Sequence, residues 1–430
     1  MSIDLVAASP DREVTEELEL LECLRKIGKG LLASGTAVGV VENTLTEIAL
    51  AYGKSCEIMA LPNYLMIKLG QSSQGRVDFA VQGLTALQLD QISELGLLTE
   101  QVKQRRVSLA EAALQTDRIV AKLPRFNSAM VIFGFFLSCI GLTMLFRPEP
   151  LALLITGATG ILVGIIIQWF RKQPRFNLLL PVIASIVVST LIFNLTRQGL
   201  IYGPANLLVS PLVTFLPGTV LTTGMIELAS MHILSGSARL MYGGAILMLL
   251  FIGIAAGLSF SGLASIQVYS FEAVAFPWWA PLLGTLLFGI GTFIRLSGAN
   301  RDLIFMLVVL YIAMLGQFLG EQFINSYFGA FLGATLMALS SEIIARSPLR
   351  SPALVSQTLA FWFLVPGARG LLSATSILSE DLQSAAIGLG EMAVLVVAIT
   401  LGVLLGTLVI SPHKFVPVTA TAGRMRSGKA

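Results

Sequence analysis

Charge is scarce in this sequence. Of its 430 residues only 12 % are charged and 55 % are hydrophobic, with a mean hydropathy of +0.82. A typical soluble chain is roughly 25 % charged, so a water-soluble enzyme is a poor fit for the whole. The net charge of +3 is too small to call for a polyanionic partner, and no nucleic acid is expected. Cysteine is scarce too. Cys23, Cys56 and Cys139 stand without ligand spacing, which disfavours a disulfide scaffold and reads as small buried residues in a reducing compartment. Two histidines, His232 and His413, cannot build a typical metal site, and His232 near an inner helix end reads as structural. The first 25 residues are acidic and lack a long apolar core, so no signal peptide is expected.

The charges that do exist are unevenly placed. Residues 1–126 carry 13 Lys/Arg and 16 Asp/Glu, about 23 % of that stretch, near the soluble norm. Residues 127–411 carry 11 and 9, about 7 %, far below it. The last 19 residues carry four charges, all basic: Lys414, Arg424, Arg426 and Lys429. The expected organisation is a soluble cytoplasmic head (1–126), a membrane domain (127–411) and a basic cytoplasmic tail (412–430).

A transmembrane helix needs roughly 20 mostly apolar residues. Such windows fall near 127–146, 151–170, 176–195, 204–226, 240–261, 276–294, 303–320, 325–341, 353–368 and 387–411. Ten spans are expected. The basic residues orient them, because cytoplasmic loops are enriched in Lys and Arg. With the head inside, Arg171, Lys172, Arg175, Arg239, Arg295, Arg301, Arg346 and Arg350 fall on the inner side. Only Arg147, Arg197 and Arg369 fall outside, so both termini are expected in the cytoplasm.

The spacing also suggests a repeat. Phe215-Leu216-Pro217-Gly218 in the fourth window is echoed by Leu364-Val365-Pro366-Gly367 in the ninth, 149 positions later. Shifting the first five windows by that interval brings them onto the last five. Five spans is an odd number, so the second copy (276–411) enters the membrane inverted relative to the first (127–261). Inverted repeats are a transporter device, with the substrate site at their interface near mid-membrane.

In the head, Leu20, Leu24, Ile27 and Leu31 recur at helical spacing over residues 13–34, and Val41, Leu45, Ile48 and Tyr52 over 38–52. Gly53 is a plausible helix stop. Residues 57–69 read as a strand pair or a strand broken at Pro62, and Val77–Val81 as a further strand. Thr85–Leu95 and Ser108–Leu123 return to helix, the latter opening on a capping box, Ser108-x-x-Glu111. A small α+β domain is expected. Tyr52-Gly53-Lys54-Ser55 resembles the end of a phosphate-binding loop, but the upstream glycine is replaced by Ile48, so direct ATP drive is not expected. Glu42 and Glu47 lie five apart, off a shared helical face, which disfavours paired acid/base work.

Two features of the membrane domain carry chemistry. Pro217 and Pro366 break their helices, and the freed backbone groups must be satisfied by protein, water or ligand. Around the first break stand Asn206, Ser210, Thr214, Thr219, Thr222 and Thr223; near the second stand Ser356, Gln357, Thr358, Ser373 and Thr375. Such a seam suits a small zwitterion whose carboxylate meets a half-helix N-terminus. Equally, small polar residues serve as glue between helices. The candidate substrate residues are Thr214, Pro217, Gly218, Thr219, Thr222, Pro366 and Gly367. Ionisable groups at membrane depth are the second feature. Glu391 lies inside the tenth window and Glu227 follows the fourth, while Glu321 and Glu342 sit at span edges, where snorkelling or a pair with Arg346 explains them. Glu227 and Glu391 are the candidate proton carriers.

Four segments together resemble the threonine/serine exporter family of bacterial membrane proteins: LLASGTAVGVVENTLTEIALAYG at 31–53, SPLVTFLPGTVLTTGMIEL at 210–228, SGSARL at 235–240 and FLVPGARGLL at 363–372. Gly35 and Glu42 occupy the family's glycine and glutamate of the head. Pro217, Gly218, Glu227, Ser235, Gly236, Ala238 and Arg239 match its Pro-Gly break, acidic position and Ser-Gly-x-Ala-Arg stretch. The acidic position is more often Asp in the family, so Glu227 departs by one methylene. The resemblance implies a non-enzymatic secondary exporter of small hydroxy amino acids in the inner membrane, coupled to the proton motive force and needing no cofactor. It favours Glu227 over Glu391 as the proton carrier and gives Arg239 a structural or gating role. The alternative is a membrane-anchored enzyme with a hydrolase-type head, although ten spans exceed what an anchor needs. The oligomeric state, a homo-oligomer included, is left open.

Overall fold

The computed structural model describes residues 10–70, 76–81, 86–145, 149–171, 173–176, 178–201, 204–262, 277–347, 351–364 and 382–411. Contact density divides them into two compact units. The first holds residues 10–123, 227–235 and Ser411; the second holds 124–226 and 236–410.

The first unit packs four helices with a three-stranded antiparallel sheet. Helices α1 (Pro10–Ala33) and α2 (Val38–Ala51) precede β1 (Cys56–Leu61), β2 (Tyr64–Leu69) and β3 (Arg76–Val81), and α3 (Leu89–Lys103) and α4 (Leu109–Ala121) follow. The strands run in the order β1-β2-β3, with Leu61 opposite Tyr64 and Leu65 opposite Ala80. Strand alternation puts Leu65, Ile67 and Leu69 on the inner face. There they join Leu20, Leu24 and Ile27 of α1 and Val41, Leu45 and Ile48 of α2 in one buried cluster. Gly28 lets α1 approach, since a Cβ there would collide with Leu65 and Leu45 side chains.

Local rules explain most of the boundaries. Gly53 adopts φ +72° and Lys54 N–H returns to the Ala49 carbonyl at 3.0 Å, a glycine helix stop. The Gly53-Lys54-Ser55 stretch therefore ends a helix, and Lys54 Nζ pairs with Glu17 at 2.7 Å. Ser108 caps α4 by accepting from Glu111 N–H. Helix α3 starts at Leu89, four residues later than the spacing suggests, because Gln88 and Gln91 form a reciprocal capping box there.

The second unit is all helix, apart from short turns, among the described residues. Helices α5 (Ser128–Thr143), α6 (Pro150–Phe170), α7 (Leu180–Arg197), α8 (Pro204–Leu212) and α9 (Gly218–Ala229) come first. Then follow α10 (Ile233–Ser261), α11 (Ala280–Arg295), α12 (Asn300–Phe323), α13 (Ser326–Arg346), α14 (Ala353–Phe363) and the last helix, α15 (Leu382–Ile410). Six of these are long and apolar enough to cross a membrane; α8 and α9 together would make a seventh, and α5, α11 and α14 are shorter apolar helices. All ten apolar windows thus contain helix. The second break, Pro366-Gly367, lies outside the described residues.

Small residues set the helix contacts, as expected where lipid removes the hydrophobic drive between helices. A Cβ on Gly134 would meet the Gly291 carbonyl, and one on Gly291 the Gly134 carbonyl; Gly141 and Gly284 stand in the same mutual relation. The α5–α11 contact is therefore reciprocal, with each pair of glycines seven apart. A second pattern joins distant parts of the sequence. Gly253 and Gly257 of α10 lie against Val182, Ser185, Ser189 and Thr190 of α7. Gly402 and Gly406 of α15 lie against Phe331, Ala334, Thr335, Ala338 and Leu339 of α13, every position except Thr335 standing 149 residues after a member of the first set.

Candidate functional site

In the first unit, three ionisable side chains from distant parts of the sequence meet. Glu42, on α2, accepts from Ala60 N–H through Oε1 at 2.8 Å, satisfying a backbone donor of the edge strand β1. Its Oε2 lies 3.1 Å from His232 Nε2. Glu227, only 1 % exposed, accepts from Val38 N–H at 3.0 Å. Val38 is the first residue of α2, whose N-cap Ala37 offers no side chain for the task. A carboxylate at that end satisfies an orphan donor and meets the positive end of the helix dipole.

His232 sits between the two acids. Its pKa is raised above the ordinary histidine value, first by the hydrogen bond to Glu42, then by the charges of Glu42 and Glu227 against an opposing desolvation. Gly39 makes room for the imidazole, since a Cβ there would strike the ring. Gly35, at φ +79°, supplies the left-handed residue of the turn between α1 and α2. The residues that carried the family resemblance in the head thus have physical work: Gly35 turns the chain, and Glu42 holds a strand edge and a histidine.

In the second unit the focus is the first break. Pro211 interrupts α8, a 3-10 turn covers Val213–Phe215, and α9 restarts at Gly218 after a 62° bend. The first helical bond of α9 runs from Leu221 N–H to the Pro217 carbonyl at 2.9 Å. Ahead of it lie the N–H groups of Gly218, Thr219 and Val220, a half-helix N-terminus with the polarity that favours anions. Pro217 and Gly218 are buried, Thr214 and Thr219 half-buried. Thr222, fully buried, has no hydrogen-bond partner for its hydroxyl, unlike Thr143, Thr156, Thr159 and Thr400, which bond back to carbonyls four residues earlier.

Arg295, at the end of α11, reaches this break. Charge pattern alone places it among the inner-side cations, but its side chain is 7 % exposed. Nη1 donates to Thr214 Oγ1. Its guanidinium carbon lies 4.8 Å from the Trp362 ring centre and 5.1 Å from that of Phe135. Trp362 is on α14, four residues before Pro366, so one buried cation contacts both the first break and the helix leading to the second. Sequence reasoning missed this residue. Its signal was available, since an arginine three residues after Thr292 continues an apolar helical run.

The remaining candidates are dispersed. Arg239, half-buried, packs its Cβ close to Gly224, where α9 and α10 approach. Glu391 is half-buried on α15, Glu342 is buried on α13, and Glu321 is exposed and bonded to Gln317 at 2.9 Å. Glu227 and the first break share helix α9, nine residues apart, but the Glu227 carboxylate serves the first unit.

A family model described as "Putative threonine/serine exporter" matches residues 22–261. The chain belongs to the threonine/serine exporter family. That match runs from the middle of α1 to the end of α10. Among curated proteins, this family member is 24 % identical over 257 residues to an uncharacterized protein of Schizosaccharomyces pombe, covering 57 % of this chain and 33 % of that one. It is 23 % identical over 236 residues to pheromone-regulated membrane protein 10 of Debaryomyces hansenii, covering 54 % and 23 %. The counterpart in Pichia sorbitophila is 23 % identical over 260 residues, covering 56 % and 24 %. The chain thus spans a third or less of the length of these relatives. No solved structure is a significant match.

Proposed function

We propose that the protein is a secondary exporter of small hydroxy amino acids, threonine and serine, out of the cytoplasm, driven by the proton motive force. The observation that carries this reading is the bent, buried break at Pro217-Gly218 in an apolar helical unit, with hydroxyls and a half-helix N-terminus around it. Membership of the exporter family supports it. The reading places the chain in the inner membrane with ten spans and cytoplasmic termini, α5 to α10 forming one repeat and α11 to α15 its inverted copy. Two sets of contacts support the repeat: the glycine seams separated by 149 positions and the reciprocal α5–α11 seam, the self-complementary form that a two-fold axis produces. Thr214, Pro217, Gly218, Thr219 and Thr222 line the substrate site in this reading, with Pro366 and Gly367 opposite.

Glu227 is assigned the proton, with Glu391 as the alternative carrier and Arg239 as the gating residue. The buried Glu227 carboxylate accepts from the Val38 N–H of α2. A change in its protonation therefore bears on that bond.

The test is transport by the full chain in proteoliposomes. Wild-type protein should concentrate threonine against its gradient when a pH gradient is imposed, and Glu227→Gln should abolish this while sparing gradient-independent exchange. Wild-type-rate accumulation by the Gln variant would reassign Glu227 as purely structural. No movement of any amino acid by the wild type would overturn the exporter reading itself.

A further inference from the structure

The buried guanidinium of Arg295 has an edge without a partner. Nη1 is taken by Thr214, but Nε and Nη2 are buried and have no hydrogen-bond partner among the described residues. Nε–H and the Nη2–H beside it form the side-on fork of a guanidinium, two parallel donors spaced to match the two oxygens of a carboxylate. The rings of Phe135 and Trp362 lie 5.1 and 4.8 Å from the guanidinium carbon and offer its edge no hydrogen-bond acceptor.

A buried cation without a counter-ion is costly, and native structures keep one only when pairing is supplied from somewhere. Among the described residues no carboxylate pairs with Arg295. The nearest acid in sequence, Asp302, forms an ion pair with Arg301 at 3.8 Å, and its buried Oδ2 has no hydrogen-bond partner among the described residues. Thr292, one turn before Arg295 on α11, also keeps a buried hydroxyl without a partner. Arg295 Nε and Nη2 and the Thr292 hydroxyl are therefore three buried donors without a partner near one end of α11, among the described residues.

We infer that Arg295 binds the substrate's carboxylate, side-on through Nε and Nη2, and that the site is selective for small molecules bearing a free carboxylate. The inference rests on the proposed transport function and deepens it. Thr214 holds the guanidinium in register with the break, while Phe135 and Trp362 keep it dry and flat. Binding of an anion neutralises the buried charge, so an occupied site is cheaper to carry through the membrane unit than an empty one.

The experiment measures thermal unfolding and transport of the purified full chain as wild type, Arg295→Gln and Arg295→Lys. The probes are L-threonine, L-threoninamide and a panel of small hydroxy monocarboxylates. Threonine should stabilise the wild type, and threoninamide should bind about 30-fold or more weakly, having lost the charged acceptor. Arg295→Gln without ligand should unfold at or above the wild-type temperature, because it removes an unpaired buried charge, yet lose the threonine response and the discrimination against the amide. A residue that serves only packing would instead lower the unfolding temperature and leave discrimination intact. Arg295→Lys keeps the charge but not the fork and should raise the KM for threonine about 10-fold; it also serves if the Gln variant does not fold. Equal binding of threonine and its amide by the wild type would overturn the inference, as would a wild-type KM in either variant. If no amino acid stabilises the wild type but hydroxy monocarboxylates do, and only with Arg295 present, the exporter reading fails while the carboxylate site stands.

Discussion

Glu42 and Glu227 in the first unit and Arg295 in the second differ in how far the protein itself uses their hydrogen-bonding atoms. In the first, Glu42 takes the Ala60 N–H and the His232 ring, and Glu227 takes the Val38 N–H. In the second, Arg295 is buried more deeply than Glu42 but leaves Nε and Nη2 without a hydrogen-bond partner among the described residues. A buried charge whose partners belong to the chain itself consolidates structure, because removing it strands those partners. A buried charge with donors to spare costs stability until something arrives to use them. The difference separates groups that hold the fold from groups kept for a ligand.

The largest effect that could break this contrast is expected at Glu42. Glu42→Ala strands a strand-edge N–H and removes the imidazole's partner, and should cost about 2–4 kcal/mol of the first unit's stability in denaturant unfolding of the full chain. A cost below about 1 kcal/mol would mean that water replaces the carboxylate, and the acid would not then be structural. A smaller effect comes from pH. The folded pKa of His232 is raised, so its contribution is complete below the unfolded histidine value near 6.5 and is lost as pH rises through the folded value. Unfolding stability should fall across that rise, and His232→Gln should flatten the dependence. A profile of opposite slope that depends on His232 would assign the shift to desolvation instead. Ser108→Ala should cost about 1 kcal/mol by removing the α4 cap, a control far from any buried charge. The smallest stability change, near zero or favourable, is expected for Arg295→Gln without ligand, and a loss comparable to that of Glu42→Ala would erase the distinction between the units.

Local features were legible in the sequence where the physics is local. Ser108 three residues before Glu111 announced a cap, Gly53 announced a helix stop, and Pro217-Gly218 announced a bend. Each is enforced by atoms within one turn of chain. The phosphate-loop-like Gly53-Lys54-Ser55 stretch ends helix α2, with Gly53 in the left-handed region. The Glu42–His232 contact was not legible, since 190 residues separate its partners. Spacing against Glu47 was the only relation available for Glu42, and it pointed away from a paired role. His232 read as structural, with nothing to name what it supports.

Arg295 shows the same limit from the other side. Counting cations along the sequence treats an arginine at a span end as a loop charge, because most such side chains reach water. Only the packing of α5, α11 and α14 turns this one inward, toward Thr214, Phe135 and Trp362. By itself the sequence determined what hydrophobicity and short-range sterics decide: where the apolar helices run, where one must break, and which stretches stay charged. The tertiary structure alone decided which ionisable groups share a site and which are left with donors unspent. Burial and partner choice depend on contacts between residues far apart in sequence, and helical spacing carries no record of them.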